Sequence, residues 1–171
     1  FLAGHTDYRG DDPVERSTEV LGRARARPLE TIRNRHLAAH RKLFRRADLQ
    51  LTAAPLDPRP ADELLAAAAD GPPLPAGLTE LYVQYGRYLL ITSSRPGTQV
   101  ANLQGIWEEG LEPPWNADYH ININIQMNYW PAESWNLAEC HEPFFDLLEN
   151  LRERGRRTAP TMALTTAGTL K

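Results

Sequence analysis

The chain has 171 residues, 42% of them hydrophobic and 24% charged, and a formal net charge of −3. This is enough for one ordinary domain with a buried core. No run of 18 apolar residues occurs, so no membrane-spanning helix is expected, and the single cysteine, Cys140, excludes an internal disulfide. Because the chain opens with Phe1 instead of Met, we expect a fragment of a longer protein. No targeting signal can be read, which leaves both a secreted and a cytoplasmic location open.

Basic residues are concentrated at the N-terminal end, where residues 1–50 carry 11 basic and 7 acidic side chains. A basic region can bind nucleic acid. Here the arginines lie at helical spacing among acids such as Glu15 and Glu19, without interleaved aromatic residues. A solvated helix face is the better interpretation, and no nucleic-acid partner is expected.

The first predicted element is the apolar segment Phe1–Arg9, which is typical of the end of a strand running into a polar turn. Asp11 or Asp12 as N-cap, with Pro13 at the first helical position, predicts a helix. A second, amphipathic helix is predicted after Pro28.

The middle of the chain is broken by prolines. The alternating segment Ala47–Thr52 predicts a short strand, and the three prolines within residues 53–60 predict a linker or boundary. A short helix is then predicted over Ala61–Asp70 and a strong one over Leu78–Ser94, whose apolar residues form a continuous stripe.

The C-terminal part combines a loop and a helix. Residues 101–120 contain two glycines and two prolines and predict a long loop, which two tryptophans make unlike a disordered segment. A last helix is predicted over His141–Thr158, with Phe144, Leu147, Leu148 and Leu151 facing inward. The fold class is therefore mainly α.

The stretch "DYHININIQMNYWP", Asp118–Pro131, has an unusual pattern. Its odd positions from Tyr119 to Met127 are apolar, and no Asp, Glu, Lys or Arg occurs between Tyr119 and Pro131. The alternating polar positions are His120, Asn122, Asn124, Gln126 and Asn128. We expect extended geometry through about Asn124, with one apolar and one polar face, followed by a helical turn. A helix throughout would instead place His120, Asn124 and Asn128 on one face.

Uncharged amides both donate and accept hydrogen bonds, and they suit neutral ligands rich in hydroxyl groups. The four tryptophans lie around this stretch, and their faces suit sugar C–H bonds. They are Trp107, Trp115, Trp130 and Trp135. The pattern indicates a carbohydrate site with Trp107 and Trp115 as substrate-binding aromatics. The alternative is a buried amide network that ties loops to a helical core.

Three other groups carry weaker signals. His36 and His40 have zinc-like spacing but neither an intervening Glu nor a third ligand. Cys140 precedes His141, but no oriented base is indicated. Arg95 suits either an anion or a carboxylate partner. A structural role is expected for each group, and no metal or organic cofactor is implied.

A glycosidase also needs a proton donor and a base, with carboxyl groups about 6.5–9.5 Å apart in an inverting enzyme. The sequence singles out no pair among its local acids. These are Glu108, Glu109, Glu112, Asp118, Glu133, Glu139 and Glu142.

Three blocks together resemble the inverting α-L-fucosidases of glycoside hydrolase family 95, which act on terminal α-1,2-linked fucose. The blocks are "YGRYLLITSSRPGTQVANLQGIW", "PPWNADYHININIQMNYWPAE" and "NLAECHEPFFDLLE". The resemblance implies an N-terminal β-sandwich, a helical linker and an (α/α)6 barrel. On that scheme residues 1–10 end the sandwich, residues 11–58 are linker, and residues 59–171 are the first helices of a truncated barrel.

The resemblance also implies roles for particular residues. Asn122 matches an asparagine at the substrate, and Asn124 matches one whose amide, polarised by an aspartate, helps to draw a proton from the attacking water. His120 matches a fucose-contacting histidine. The family's general-acid glutamate and polarising aspartate lie further downstream than Lys171, so the chain alone is expected to be inactive.

Two alternatives remain open. The first is an α-L-galactosidase of the same family, since L-galactose differs from L-fucose only by a C6 hydroxyl. A non-catalytic carbohydrate-binding or remnant fragment would need no acids at all. In the preferred interpretation the partner is a fucosylated oligosaccharide, and the oligomeric state is open.

Overall fold

The computed structural model describes residues 1–8, 10–55, 57–69, 71 and 74–168, and it is mainly helical, as expected. Seven α-helices follow one another along the described chain. They are α1 (Pro13–Arg25), α2 (Leu29–Phe44), α3 (Ala61–Ala67), α4 (Ala76–Ser93), α5 (Asn124–Tyr129), α6 (Pro131–Ser134) and α7 (Glu142–Gly168). Single 3-10 turns occur at Pro114–Ala117 and Ala138–His141. Among the helices of the described residues, none is both long and apolar enough to cross a membrane.

The chain divides into two compact units, Phe1–Lys42 and Leu43–Lys171. In the first unit, Asp12 caps α1 as the sequence predicts. Its Oδ1 accepts hydrogen bonds from the backbone N–H groups of Val14 at 2.8 Å and Glu15 at 3.0 Å. Pro13 occupies the first turn, where its missing N–H would have had no helical partner. The domain boundaries expected after residues 10 and 58 stay predictions.

The core lies in the second unit. Helices α4, α5 and α6, the loop after α4 and the turn before α7 contribute its buried apolar residues, which are Leu90, Ile91, Val100, Ala101, Ile125, Tyr129, Ala132, Leu137 and Cys140, together with Leu43. Phe44, Tyr119, Phe144 and Leu147 pack against this set. The loop and the polar stretch are therefore attached to the same core as α4.

A buried arginine stabilises the end of α2. Arg87, on α4, is 1% exposed, and its Nη1 donates to the carbonyl oxygens of Phe44 at 2.8 Å and Ala47 at 2.7 Å. The last carbonyls of a helix have no partner within the helix, so a guanidinium there satisfies groups that burial would otherwise penalise. Burial lowers the pKa of Arg87.

Neither predicted strand is seen in the described residues, where pairing is limited to one isolated bridge between Asn102 and Gly105. The segment Phe1–Thr6 has no regular secondary structure, so the expected sandwich strand is not seen. Ala47–Thr52 is also irregular. Its backbone N–H groups at Leu51 and Thr52 donate to a Glu80 carboxylate oxygen, and this side chain replaces a neighbouring strand as acceptor.

The apolar stripe of α4 is only partly buried. Leu78 is buried, but Leu81 and Tyr85 are exposed, and Leu148 on α7 is exposed where an inward position was predicted. Helical periodicity identified the stripe correctly, whereas its burial depends on which other elements pack against it.

Candidate functional site

The polar stretch folds as a tight turn followed by a helix, so the expected extended geometry through Asn124 is wrong. Residues 121–123 form a turn and α5 begins at Asn124. The Ile125 N–H donates to the His120 carbonyl oxygen at 3.2 Å, and the Gln126 Oε1 accepts from the Ile123 N–H at 3.0 Å. These local bonds replace the partner strand that an extended segment would need.

The alternating apolar residues consequently do not share one face. Ile125 is fully buried, while Ile121, Ile123 and Met127 are between 46% and 54% exposed. A period of two has no structural meaning once the chain turns, and only the residue that α5 directs into the core is buried.

The buried side of α5 is fixed by a closed set of hydrogen bonds. The Ser94 Oγ donates to the Cys140 carbonyl oxygen at 2.8 Å and therefore accepts, at 2.7 Å, from the Tyr129 hydroxyl. That hydroxyl also accepts from the Ala101 N–H at 2.8 Å. Tyr129 is 2% exposed and Ser94 is fully buried. The Tyr129 phenol thus joins α5 to the end of α4 and to the loop after it. Ser94 extends this set to the turn before α7.

His120 stands just before α5 and is held by two neighbours. Its Nδ1 and its backbone N–H both meet the Oδ1 of Asp118, the latter at 2.9 Å. The Trp115 and His120 rings meet edge to face, with centroids 5.6 Å apart. The His120 side chain is 32% exposed, so the ring is oriented and still accessible to a ligand.

The two asparagines of the "NIN" segment are exposed. Within the described part of the chain, the side-chain amides of Asn122 and Asn124 have no hydrogen-bond partner, although the Asn124 N–H donates to the Asn122 carbonyl oxygen at 2.9 Å. Asn128 behaves differently, because its Nδ2 donates to the Asn102 carbonyl oxygen at 3.2 Å. All three asparagines are exposed, so these side chains do not form the buried amide network of the alternative interpretation. Asn128 links α5 to the loop after α4 at the surface, and the first two amides remain available to a ligand.

Unusual backbone geometry is concentrated beside these side chains. Positive φ angles occur at Trp115, Asn116, Ala117, His120 and Ile123, with values between 40° and 66°. A β-branched residue such as Ile123 is disfavoured there. Such conformations cost about 1–3 kcal/mol each and gather at functional sites. The strained backbone coincides with the segment that presents Trp115, His120 and the two amides.

Trp107 is the other aromatic residue predicted to bind substrate. It lines an open groove of about 660 Å³ along α4, together with Tyr82, Tyr85 and Trp135. Neither His120 nor Trp115 lines this groove. At Gly105, where φ is +67°, an added Cβ would lie 2.6 Å from the Trp107 ring, so glycine allows the indole to pack there. The structure thus brings Trp115 and His120 together, whereas Trp107 lines a groove that neither of them lines.

The residues of the weaker motifs contact other parts of the fold. Cys140 is buried, and burial raises the pKa of its thiol, which disfavours the reactive thiolate. His141 Nδ1 lies 3.0 Å from Glu133 Oε1. Arg95 Nε donates to the Ile91 carbonyl oxygen at 2.9 Å. Within the described residues no group of three or more metal-ligating side chains converges.

Comparison with known proteins identifies the family. The model of the glycosyl hydrolase family 95 catalytic domain matches residues 28–170, so the chain belongs to this family. It is 42% identical to Alpha-L-fucosidase 2 of Arabidopsis thaliana over 86% of the chain and 18% of that protein. It is 34% identical to Probable alpha-fucosidase A of Aspergillus niger over 94% of the chain and 20% of that protein. The chain therefore spans about a fifth of the length of these relatives.

Asp118 and Ser94 were not singled out from the sequence. Asp118 was one of seven local acids, and the signal that distinguishes it is its place two residues before His120, where an Asp side chain commonly bonds the backbone of a turn. Ser94 lies 35 residues from Tyr129, and no sequence pattern predicts that pairing. The roles of Asn122 and Asn124 stay predictions.

Proposed function

We propose that the chain is part of an inverting α-L-fucosidase that releases terminal α-1,2-linked L-fucose, and that Asn122, Asn124 and His120 belong to its active site. The observation that carries the proposal is the exposed amide pair, uncharged and unpartnered in the described chain, beside a histidine held by a carboxylate. Membership of the glycosyl hydrolase family supplies the reaction class.

The chemistry favours a neutral, hydroxyl-rich ligand. A carboxamide presents an acceptor oxygen and a donor NH2 at every working pH, so Asn122 can bond a sugar hydroxyl in either sense. Trp115 adds an exposed aromatic surface, 71% exposed, on which sugar C–H groups can pack. A charged side chain at these positions would be more costly to desolvate when the sugar binds.

The chain supplies only part of the mechanism. An amide is a poor base, and Asn124 can assist removal of a proton from water only when a carboxylate polarises its NH2 group. In the described residues no carboxylate bonds Asn124. We infer that the polarising carboxylate and the general acid come from further segments of the whole protein, and that residues 1–171 alone do not turn over substrate.

The test is hydrolysis of 2′-fucosyllactose by a longer protein that carries this chain, followed by NMR of the released sugar. An inverting enzyme acting on an α-linked fucoside releases β-L-fucose first. Asn122→Ala and Asn124→Ala are each expected to lower kcat/KM by at least 100-fold, because each removes a group used at the transition state.

The matched control is Glu109→Ala, an exposed acid in the same loop as Trp115, which should leave kcat/KM within about twofold. First release of the α anomer would contradict the inverting mechanism. Faster cleavage of the L-galactoside than of the L-fucoside would show that the enzyme prefers the sugar with a C6 hydroxyl. Turnover by the 171-residue chain itself would contradict the shared active site.

A further inference from the structure

The contact between Asp118 and His120 determines the proton arrangement of the imidazole. An ionised carboxylate only accepts hydrogen bonds, so the His120 Nδ1 that it contacts must carry the proton. In a neutral imidazole the other nitrogen, Nε2, is then an acceptor. The Asp118 Oδ1 also accepts from the His120 backbone N–H at 2.9 Å, which fixes the carboxylate relative to the ring it orients.

The ring is held in place from a second direction. Trp115 meets it edge to face at 5.6 Å between centroids, with 83° between the planes. Both residues have positive φ, 56° at Trp115 and 40° at His120. A strained backbone at both ends of the contact is expected where local geometry serves a ligand and not only stability.

We propose that Asp118 is a positioning residue, which holds His120 as the Nδ1–H tautomer so that Nε2 accepts a hydrogen bond from a sugar hydroxyl. The proposal rests on the proposed function for the identity of the sugar only. It assigns His120 a defined polarity: the histidine accepts, and the sugar donates. The Asn122 amide, which can reverse donor and acceptor, imposes no such polarity.

This polarity has a consequence for specificity. A site built around a fixed acceptor rejects an analogue whose donor hydroxyl is missing or methylated, because the Nε2 lone pair is then buried without a partner. The ligand class is therefore a monosaccharide with a free hydroxyl at the position that meets His120.

The primary experiment reads the tautomer directly and needs no activity. In the ¹⁵N-labelled chain at pH 8.5, where an ordinary imidazole is neutral, two-bond ¹H–¹⁵N spectra separate the Nδ1–H and Nε2–H forms. The His120 signals are assigned by their loss in His120→Gln. We expect Nδ1–H to predominate in the parent chain, and Asp118→Ala to change the tautomer ratio by about tenfold toward Nε2–H.

Two matched variants separate positioning from general disturbance. Asp118→Asn keeps the acceptor oxygen and should hold the ratio within about threefold of the parent, whereas Glu109→Ala, an exposed acid earlier in the loop, should leave it unchanged. The His141 signals serve as an internal folding reference, since this ring stacks on Tyr129 at 5.5 Å. An unchanged ratio in Asp118→Ala with unshifted His141 signals would overturn the proposal.

Titration with L-fucose then separates a failure of the Asp118 positioning role from a failure of the proposed substrate. If Asp118→Ala changes the tautomer ratio and L-fucose shifts the His120 Nε2 signal, both the positioning role of Asp118 and the proposed substrate stand. If the tautomer responds but neither L-fucose nor L-galactose shifts any His120 signal in the longer protein, the positioning stands and the proposed substrate falls. If L-fucose binds but Asp118→Ala leaves the tautomer unchanged, the substrate stands and the positioning falls.

Discussion

The two sides of α5 differ in how their polar groups are satisfied. On the buried side, the Tyr129 hydroxyl has both a donor and an acceptor partner inside the protein. On the exposed side, the Asn124 amide has none in the described chain. A polar group that the fold needs is paired within the fold, because leaving it buried and unpaired is costly. An exposed polar group that has no partner in the described chain, on a strained and well-anchored turn, is available to bind a ligand.

Among the variants that test this difference, we expect Tyr129→Phe to have the largest effect on the free energy of unfolding. The substitution leaves the buried Ala101 N–H without an acceptor and removes the donor to Ser94. We expect the free energy of unfolding to fall by about 1–3 kcal/mol, measured as a shift in the urea midpoint at constant m-value.

The matched control is Tyr82→Phe. Tyr82 is 72% exposed on α4, so loss of its hydroxyl should change the free energy of unfolding by less than about 0.5 kcal/mol. Equal losses in the two variants would mean that the Tyr129 hydrogen bonds do not anchor α5.

A second prediction tests whether the turn before α5 is strained. Ile123 has φ of 66°, whereas Ile121, two residues earlier, is not among the positive-φ residues of the described chain. The two side chains are similarly exposed, at 46% and 54%. Replacement by glycine removes a similar apolar surface at both sites but relieves strain only at Ile123. Ile123→Gly should therefore be more stable than Ile121→Gly by about 1–3 kcal/mol. If Ile123→Gly were instead less stable than Ile121→Gly, the turn before α5 would not be strained at Ile123.

The third prediction concerns alkaline pH. Burial raises the pKa of Tyr129 and that of Cys140, so the folded state holds these protons more tightly than the unfolded state. Stability is then complete below the ordinary thiol pKa of about 8.5 and declines as the pH rises through that value and the phenol value of about 10. Urea midpoints between pH 7 and 10.5 should show the decline.

Cys140→Ala provides the control for that titration. It should flatten the part of the curve that begins near the thiol pKa, because no thiol remains to titrate in the unfolded state. The native thiol should also resist iodoacetamide at pH 8 until urea unfolds the chain. Fast alkylation of the folded protein would show that Cys140 is not buried.

How much could be predicted from sequence depended on the range of the interactions. Asp12 and Pro13 define the start of α1 through bonds within three residues, and that prediction is confirmed. The alternation after Asp118 predicts an extended segment, and that prediction is wrong because Gln126 bonds the Ile123 N–H and the same residues form a turn. Ser94 and Tyr129 meet only in the folded chain, so no local pattern encodes their pairing. The assignment of Asn122 and Asn124 to a binding site rests on their residue types and on the family resemblance, and it stays a prediction.

The smallest effect on stability is expected for Asn124→Ala. The side chain is exposed at the first position of α5 and has no partner within the described chain, and alanine is favourable in a helix. The free energy of unfolding should change by less than about 0.5 kcal/mol, although the proposed function requires a loss of at least 100-fold in kcat/KM in the longer protein. Asn128→Ala is the matched comparison, since it removes the hydrogen bond to the Asn102 carbonyl oxygen and should cost about 0.5–1.5 kcal/mol. If Asn124→Ala destabilised the chain as much as Asn128→Ala, the Asn124 amide would stabilise the fold. The proposal that the exposed side of α5 belongs to the active site would then be contradicted.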